Sequence, residues 1–172
     1  MDLENYKIEN LANEFREYFK IHIRSMSLSD INSFVDDLGG SIVRERIFST
    51  TVSRCGKGFI INLSKDYDYR KEFAEGISIL FLGMMFLDSE KYQSLPNMKE
   101  YDMCSFKHFE TLRKFRDELF LPKTELRSAV QKFLDPEGMF DIANVANYLH
   151  ESRGYVESRL VELGMIKPWF DR

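Results

Sequence analysis

The sequence predicts an α+β fold, mainly helical, with a small antiparallel sheet of two or three strands. Three observations carry this. Apolar residues recur at helical spacing both before residue 38 and after residue 105. Between them, Ser41 to Leu63 is rich in Ile, Val, Thr and Phe and is interrupted by Arg54-Cys55-Gly56-Lys57-Gly58, as strands joined by tight turns are. After that block, Phe73 to Leu87 is apolar nearly all round, which describes a buried helix.

The elements follow in order. Leu3 to about Lys20 carries Leu3, Tyr6, Ile8, Leu11, Phe15 and Phe19, a helical stripe with some drift. Ser27-Leu28-Ser29-Asp30 starts a second helix with a serine cap and an acid in the first turn. Ile31, Phe34, Val35 and Leu38 form its apolar face, and Gly39-Gly40 ends it. The β-rich block comes next, then a central helix over 67–87. Asp88 to Ser105, with Pro96, reads as the longest loop. A helix over 106–120 leads to Pro122, and a short one over 124–133 to the turn Asp135-Pro136-Glu137-Gly138. Two last helices, about 141–150 and 153–163, stop at Gly164.

Composition narrows the classes of function. A chain of 172 residues is one domain, or one domain with a small appendage. It is long enough to bury about two-thirds of its surface. Fifteen Phe, eight Tyr and eight Met supply an aromatic-rich core. A net charge of −4 argues against binding nucleic acid through a general phosphate field. Cys55 and Cys104 follow no C-x-x-C spacing, so they read as reduced, isolated thiols. The acidic start, Met1-Asp2-Leu3-Glu4-Asn5, does not read as a secretory signal. At 15 residues, the apolar stretch 73–87 falls short of the roughly 20 that span a bilayer. The expectation is a cytoplasmic protein that engages no membrane.

Arg70-Lys71-Glu72-Phe73-Ala74-Glu75-Gly76-Ile77-Ser78-Ile79 carries the most information about function. It resembles the metal helix of the ImmA/IrrE family of metallopeptidases, R-F-x-x-A-H-E-x-G-H followed by an apolar run, with Arg70 and Ala74 in register. In H-E-x-x-H, two histidines four residues apart face one zinc ion, and the glutamate takes a proton from the metal-bound water. Here Glu75 replaces the first histidine, Gly76 the glutamate and Ile79 the second histidine. Other blocks share the family's order. I-N-x-F-V-x-x-L-G-G-S-I starts at Ile31, and Gly58 to Leu63 matches a strand before the metal helix. Phe115 to Pro122 resembles E-A-N-x-F-A-x-x-L-L-M-P, and Ile142 to Ile166 resembles the closing helix pair. The likeness covers about residues 28–166. It implies a degenerate metallopeptidase-like domain over 1–134 with a zincin-like core. A C-terminal helix pair over 135–172, helix-turn-helix-like, would pack on that domain.

The family's third zinc ligand, a glutamate, falls on Thr111, next to Glu110. Glu75, Gly76, Ile79, Glu110 and Thr111 are therefore the vestigial metal-site positions. Glu72, Glu75, His108 and Glu110 are the candidate weak ligands, weighed against the plainer reading of exposed or ion-paired side chains. No catalytic residue is assigned and no cofactor is expected, zinc included. Ser78 lacks a nucleophile elbow, and Gly56-Lys57-Gly58 is a turn rather than a phosphate loop. His22 and His150 read as ordinary. The stretch Glu151 to Leu163 carries three glutamates (Glu151, Glu157, Glu162) against Arg153 and Arg159, a poor match for duplex DNA. Tyr148, Arg153, Tyr155, Arg159, Trp169 and Phe170 are the candidates for contact with a protein partner.

Family members typically cut a transcriptional repressor of a phage, an integrative element or a stress response. The resemblance implies recognition without the cutting. The expectation is a pseudo-peptidase of a phage or mobile element that binds a target such as a repressor. Three alternatives stand beside it. One is a stoichiometric inhibitor of a host defence enzyme, such as a CRISPR or other nuclease. Another is a hydrolase with a substituted metal site, and the third is a DNA-binding regulator.

Overall fold

In the computed structural model, which describes residues 5–87 and 98–167, the chain is α+β with helix dominant. It forms two compact units, one ending at Phe120 and the other starting at Leu121. The boundary read from the sequence, after residue 134, falls between the first and second helices of the second unit.

The first unit opens with α1, Asn5–Phe19, and a 3-10 turn, Ile23–Ser25. Helix α2, Leu28–Asp37, starts on a full capping box. Ser27 accepts the Asp30 N–H, and the Asp30 carboxylate accepts the Ser27 N–H. Gly39, at φ +80°, turns the chain out of the helix, a conformation that needs no Cβ.

The sheet differs from the one expected. Among the described residues it has four strands and is mixed: β1 (Gly40–Glu45), β2 (Thr51–Cys55), β3 (Gly58–Ser64) and β4 (Glu100–Tyr101), in the order β1-β3-β2-β4. Only β2–β3 is a hairpin, and β1 runs parallel to β3 with Gly40 beside Phe59 and Glu45 beside Ser64. The sequence reading assumed that consecutive strands pair. Residues 46–50 instead carry the chain across the end of β3, a step of about 10 Å that five residues cover easily. Close approach at the start of the pair explains the glycines. A Cβ on Gly58 would lie 2.1 Å from the Gly39 carbonyl oxygen, and one on Gly40 would lie 2.4 Å from the Phe59 ring. Strand β4 comes from a stretch read as loop, and pairs with Val52 and Ser53.

The central helix is also not one regular helix. Helix α3 spans Tyr69–Ile77, capped by Asp68, and the chain continues as a π-helix over Ser78–Leu87. At the junction Ser78 Oγ donates to the Ala74 carbonyl at 2.7 Å, a side-chain bond of the kind that loosens a helix ladder. A 3-10 turn, Met103–Ser105, precedes α4, Phe109–Phe120, which begins three residues later than expected. Phe73, Ile77, Ile79 and Leu80 are fully buried with Ile61 and Leu63 of β3 and Leu112 and Phe115 of α4. Rings of Phe15, Phe19, Phe34, Phe73 and Phe81 meet edge to face across this core.

Among its described residues, the second unit has three helices: α5 (Lys123–Lys132), α6 (Ile142–Leu149) and α7 (Arg153–Glu162). Asp141 and Ser152 cap the last two through the N–H groups of Ala143 and Tyr155. His150, in the left-handed region at φ 52°, makes the turn between them. Leu126, Val145, Leu149, Val156 and Leu160 form the unit's core. Among the described residues, no helix is long and apolar enough to cross a membrane.

Candidate functional site

The residues matching the metal motif lie on α3 and the first turn of the π-helix. At each of the three positions the side chain is committed to the fold. Gly76 is buried, and a Cβ built on it would meet Ile61 Cγ2 at 2.5 Å and Thr50 Cγ2 at 3.5 Å. The glycine thus lets α3 press directly onto β3. Ile79 is fully buried. It sits in the first turn of the π-helix, one residue past its start.

Glu75 points instead to α4, where its carboxylate meets Arg116 Nη1 at 3.3 Å. Arg116 also holds the buried Asp117 at 2.9 Å, and Asp117 lies 3.6 Å from Arg113, which in turn holds Glu110 at 3.0 Å. The result is a ladder of alternating charge along α4 with Glu75 at its inner end. Burial pushes the Glu75 carboxyl above its ordinary value; Arg116 pulls it back, while Glu72 and Asp102 add to the rise.

Glu72 is separately engaged. Its carboxylate accepts the hydroxyl of the buried Thr50 and the Ser64 N–H, which ties the start of α3 to the ends of β3 and the 46–50 connection. Glu110 is exposed and paired with Arg113, and Thr111 and His108 are half-buried. Among the described residues, no three His, Cys, Asp or Glu side chains come together as a group able to hold a metal ion. Glu72 and Glu75 do influence one another, whereas Glu110 is drawn into the arginine ladder.

The partner candidates separate by exposure. Arg153 is exposed, Tyr155 is half-buried, and Tyr148 is 46% exposed with Lys132 Nζ 4.2 Å above its ring. Arg159 must be corrected. It is 2% exposed, bound to Glu162 at 2.8 Å and to the Leu121 carbonyl at 3.3 Å, so it anchors α7 and is closed to a partner. Trp169 and Phe170 lie outside the described residues. Sequence reasoning missed Arg116, Asp117 and Thr50. The i, i+3 and i, i+4 spacing of Glu110, Arg113 and Asp117 was the one available signal.

Comparison with protein-family models, with curated proteins and with solved structures finds no match to this chain.

Proposed function

We propose that this chain is a non-catalytic binding protein, a pseudo-peptidase whose zincin-like core has been turned over to packing. Its role is to hold a target protein, such as a transcriptional repressor, without cutting it. The observation that carries the reading is the Gly76–Ile61 contact: where a metallopeptidase would present its general base, there is a glycine with a strand side chain seated against it. A side chain at position 76 has nowhere to reach a water, and the neighbouring Glu75 is held by Arg116. Chemistry that depends on a metal-activated water has no base at this place.

The test combines two measurements on the full chain. Elemental analysis of protein purified without chelator is expected to find zinc well below one equivalent. A tagged pull-down from the native background is expected to bring down a partner of intact length by mass spectrometry. A partner cut at one fixed site, or stoichiometric zinc with hydrolysis lost in Glu75→Ala, overturns the reading. An intact nuclease in place of a repressor keeps the binder and changes its target.

A further inference from the structure

Helix α1, the π-helix and α4 line an open pocket of about 350 Å³. Its walls are the rings of Phe15, Phe19, Phe81 and Phe115. Phe81 meets Phe15 with centroids 4.7 Å apart and Phe19 at 5.7 Å, both edge to face. Rings locked in this way leave a pre-formed pocket, so an incoming group meets little cost of reorganisation. The π-helix contributes Phe81, and stretches of π-helix recur where function has displaced regular geometry. At the rim stand Glu14, exposed, and Tyr18, 82% exposed on the next turn. Among the described lining residues Glu14 alone is charged. Arg16, the nearest cation on α1, is turned inward to the Glu118 carbonyl at 2.8 Å, and Glu17 adds a second exposed acid one turn along.

From this we infer that the pocket is where the chain grips its partner. The occupant is an amphipathic helix that inserts two bulky apolar side chains one turn apart and sets a Lys or Arg against Glu14. The size argues for two groups, since a cavity of roughly 150 Å³ accepts one benzene ring. Three helical walls form a groove of the kind that receives a helix, and side chains one turn apart lie about 5–6 Å from each other. The acidic rim selects a basic partner. Tyr18 is placed to close over the inserted groups, as an aromatic rim residue does around a buried anchor. This assignment rests on reading the chain as a binder, and it names the surface used.

The test is a displayed library of amphipathic helical peptides selected on the full chain, with the enriched peptide then measured by fluorescence anisotropy. Enriched sequences are expected to share an apolar pair one turn apart and a neighbouring Lys or Arg. Binding is expected to weaken roughly tenfold or more in Glu14→Lys and in Tyr18→Ala. Both positions are exposed, so the fold stays intact. Equal binding by both variants, or peptides without a basic residue, overturns the assignment. So does a library that yields no helix while a cationic arylalkylamine binds and is lost in Glu14→Lys, because the pocket is then a small-molecule site. If Glu14→Lys and Tyr18→Ala still retain the pull-down partner in full, the pocket assignment falls and the binder reading stands. A cleaved partner removes the binder reading itself.

Discussion

Replacing Gly76 by alanine opposes two effects of known size. Inside a helix, Gly→Ala gains about 1 kcal/mol from backbone entropy. Against this, the new methyl would lie 2.5 Å from Ile61 Cγ2, where carbon atoms prefer about 3.5–4.0 Å, so helix and strand must part by about 1 Å. Ile61 is fully buried on the middle strand pair and β-branched, and so has few other rotamers to take. Overpacking of this kind costs about 1–3 kcal/mol, and the net expectation is a loss of up to about 2 kcal/mol. Urea unfolding of the wild type, Gly76→Ala, Ile61→Ala and the double variant measures it. Ile61→Ala alone should cost about 2–5 kcal/mol through its cavity. The double variant should cost about 1–3 kcal/mol less than the sum, because the new methyl enters space that Cγ2 has left. Additivity within about 0.5 kcal/mol, whatever the stability of Gly76→Ala alone, would show that the glycine is incidental. The proposed use of position 76 for packing would then fail.

The same contact predicts that the triple change Glu75→His, Gly76→Glu, Ile79→His restores no zinc site. Calorimetry with zinc should give no stoichiometric binding, and the protein should unfold at much lower denaturant. Glu75→Gln bears on the charge ladder. The folded carboxyl is raised, so its stabilising contribution is complete at pH below the ordinary glutamate range and is lost as pH rises through the raised value. The variant should therefore match the wild type in acid and equal or exceed it at neutral pH; a deficit that appears only at neutral pH contradicts the balance of burial over Arg116. In the second unit, Arg159→Ala should cost about 3–5 kcal/mol by breaking a buried pair, while Arg153→Ala stays within about 0.5 kcal/mol. Thermal unfolding of the two variants separates them. Ser27→Ala should cost about 1 kcal/mol through loss of its cap, read as a shift in the urea midpoint.

What the sequence made legible was local. Ser27 with Asp30 three residues on is a pattern written in adjacent side chains, and the structure closes it as a capping box. Gly39 announced its helix end in the same way. The errors concern contacts between distant segments. Nothing in Gly40 to Glu45 says that its partner is β3 and not β2. The glycines at 39, 40 and 58 signalled turns, and their tighter purpose needs the opposing atoms to be seen. Arg159 looked like a surface cation because charge implies water until a carboxylate and a carbonyl are found beside it. The apolar run from Ser78 satisfied every expectation for a buried helix, yet hydrophobicity on all sides fixes no period, and the backbone there widens. The candidate site falls between these cases. Which atoms are missing from Glu75, Gly76 and Ile79 is plain from the letters alone. That Gly76 receives Ile61, and that Glu75 is held by Arg116, depends on a strand 15 residues upstream and a helix 41 residues downstream. A filled contact and a compensated charge describe a segment that its neighbours have been built around. For that reason the double-mutant cycle at Gly76 and Ile61 bears on function as well as on stability.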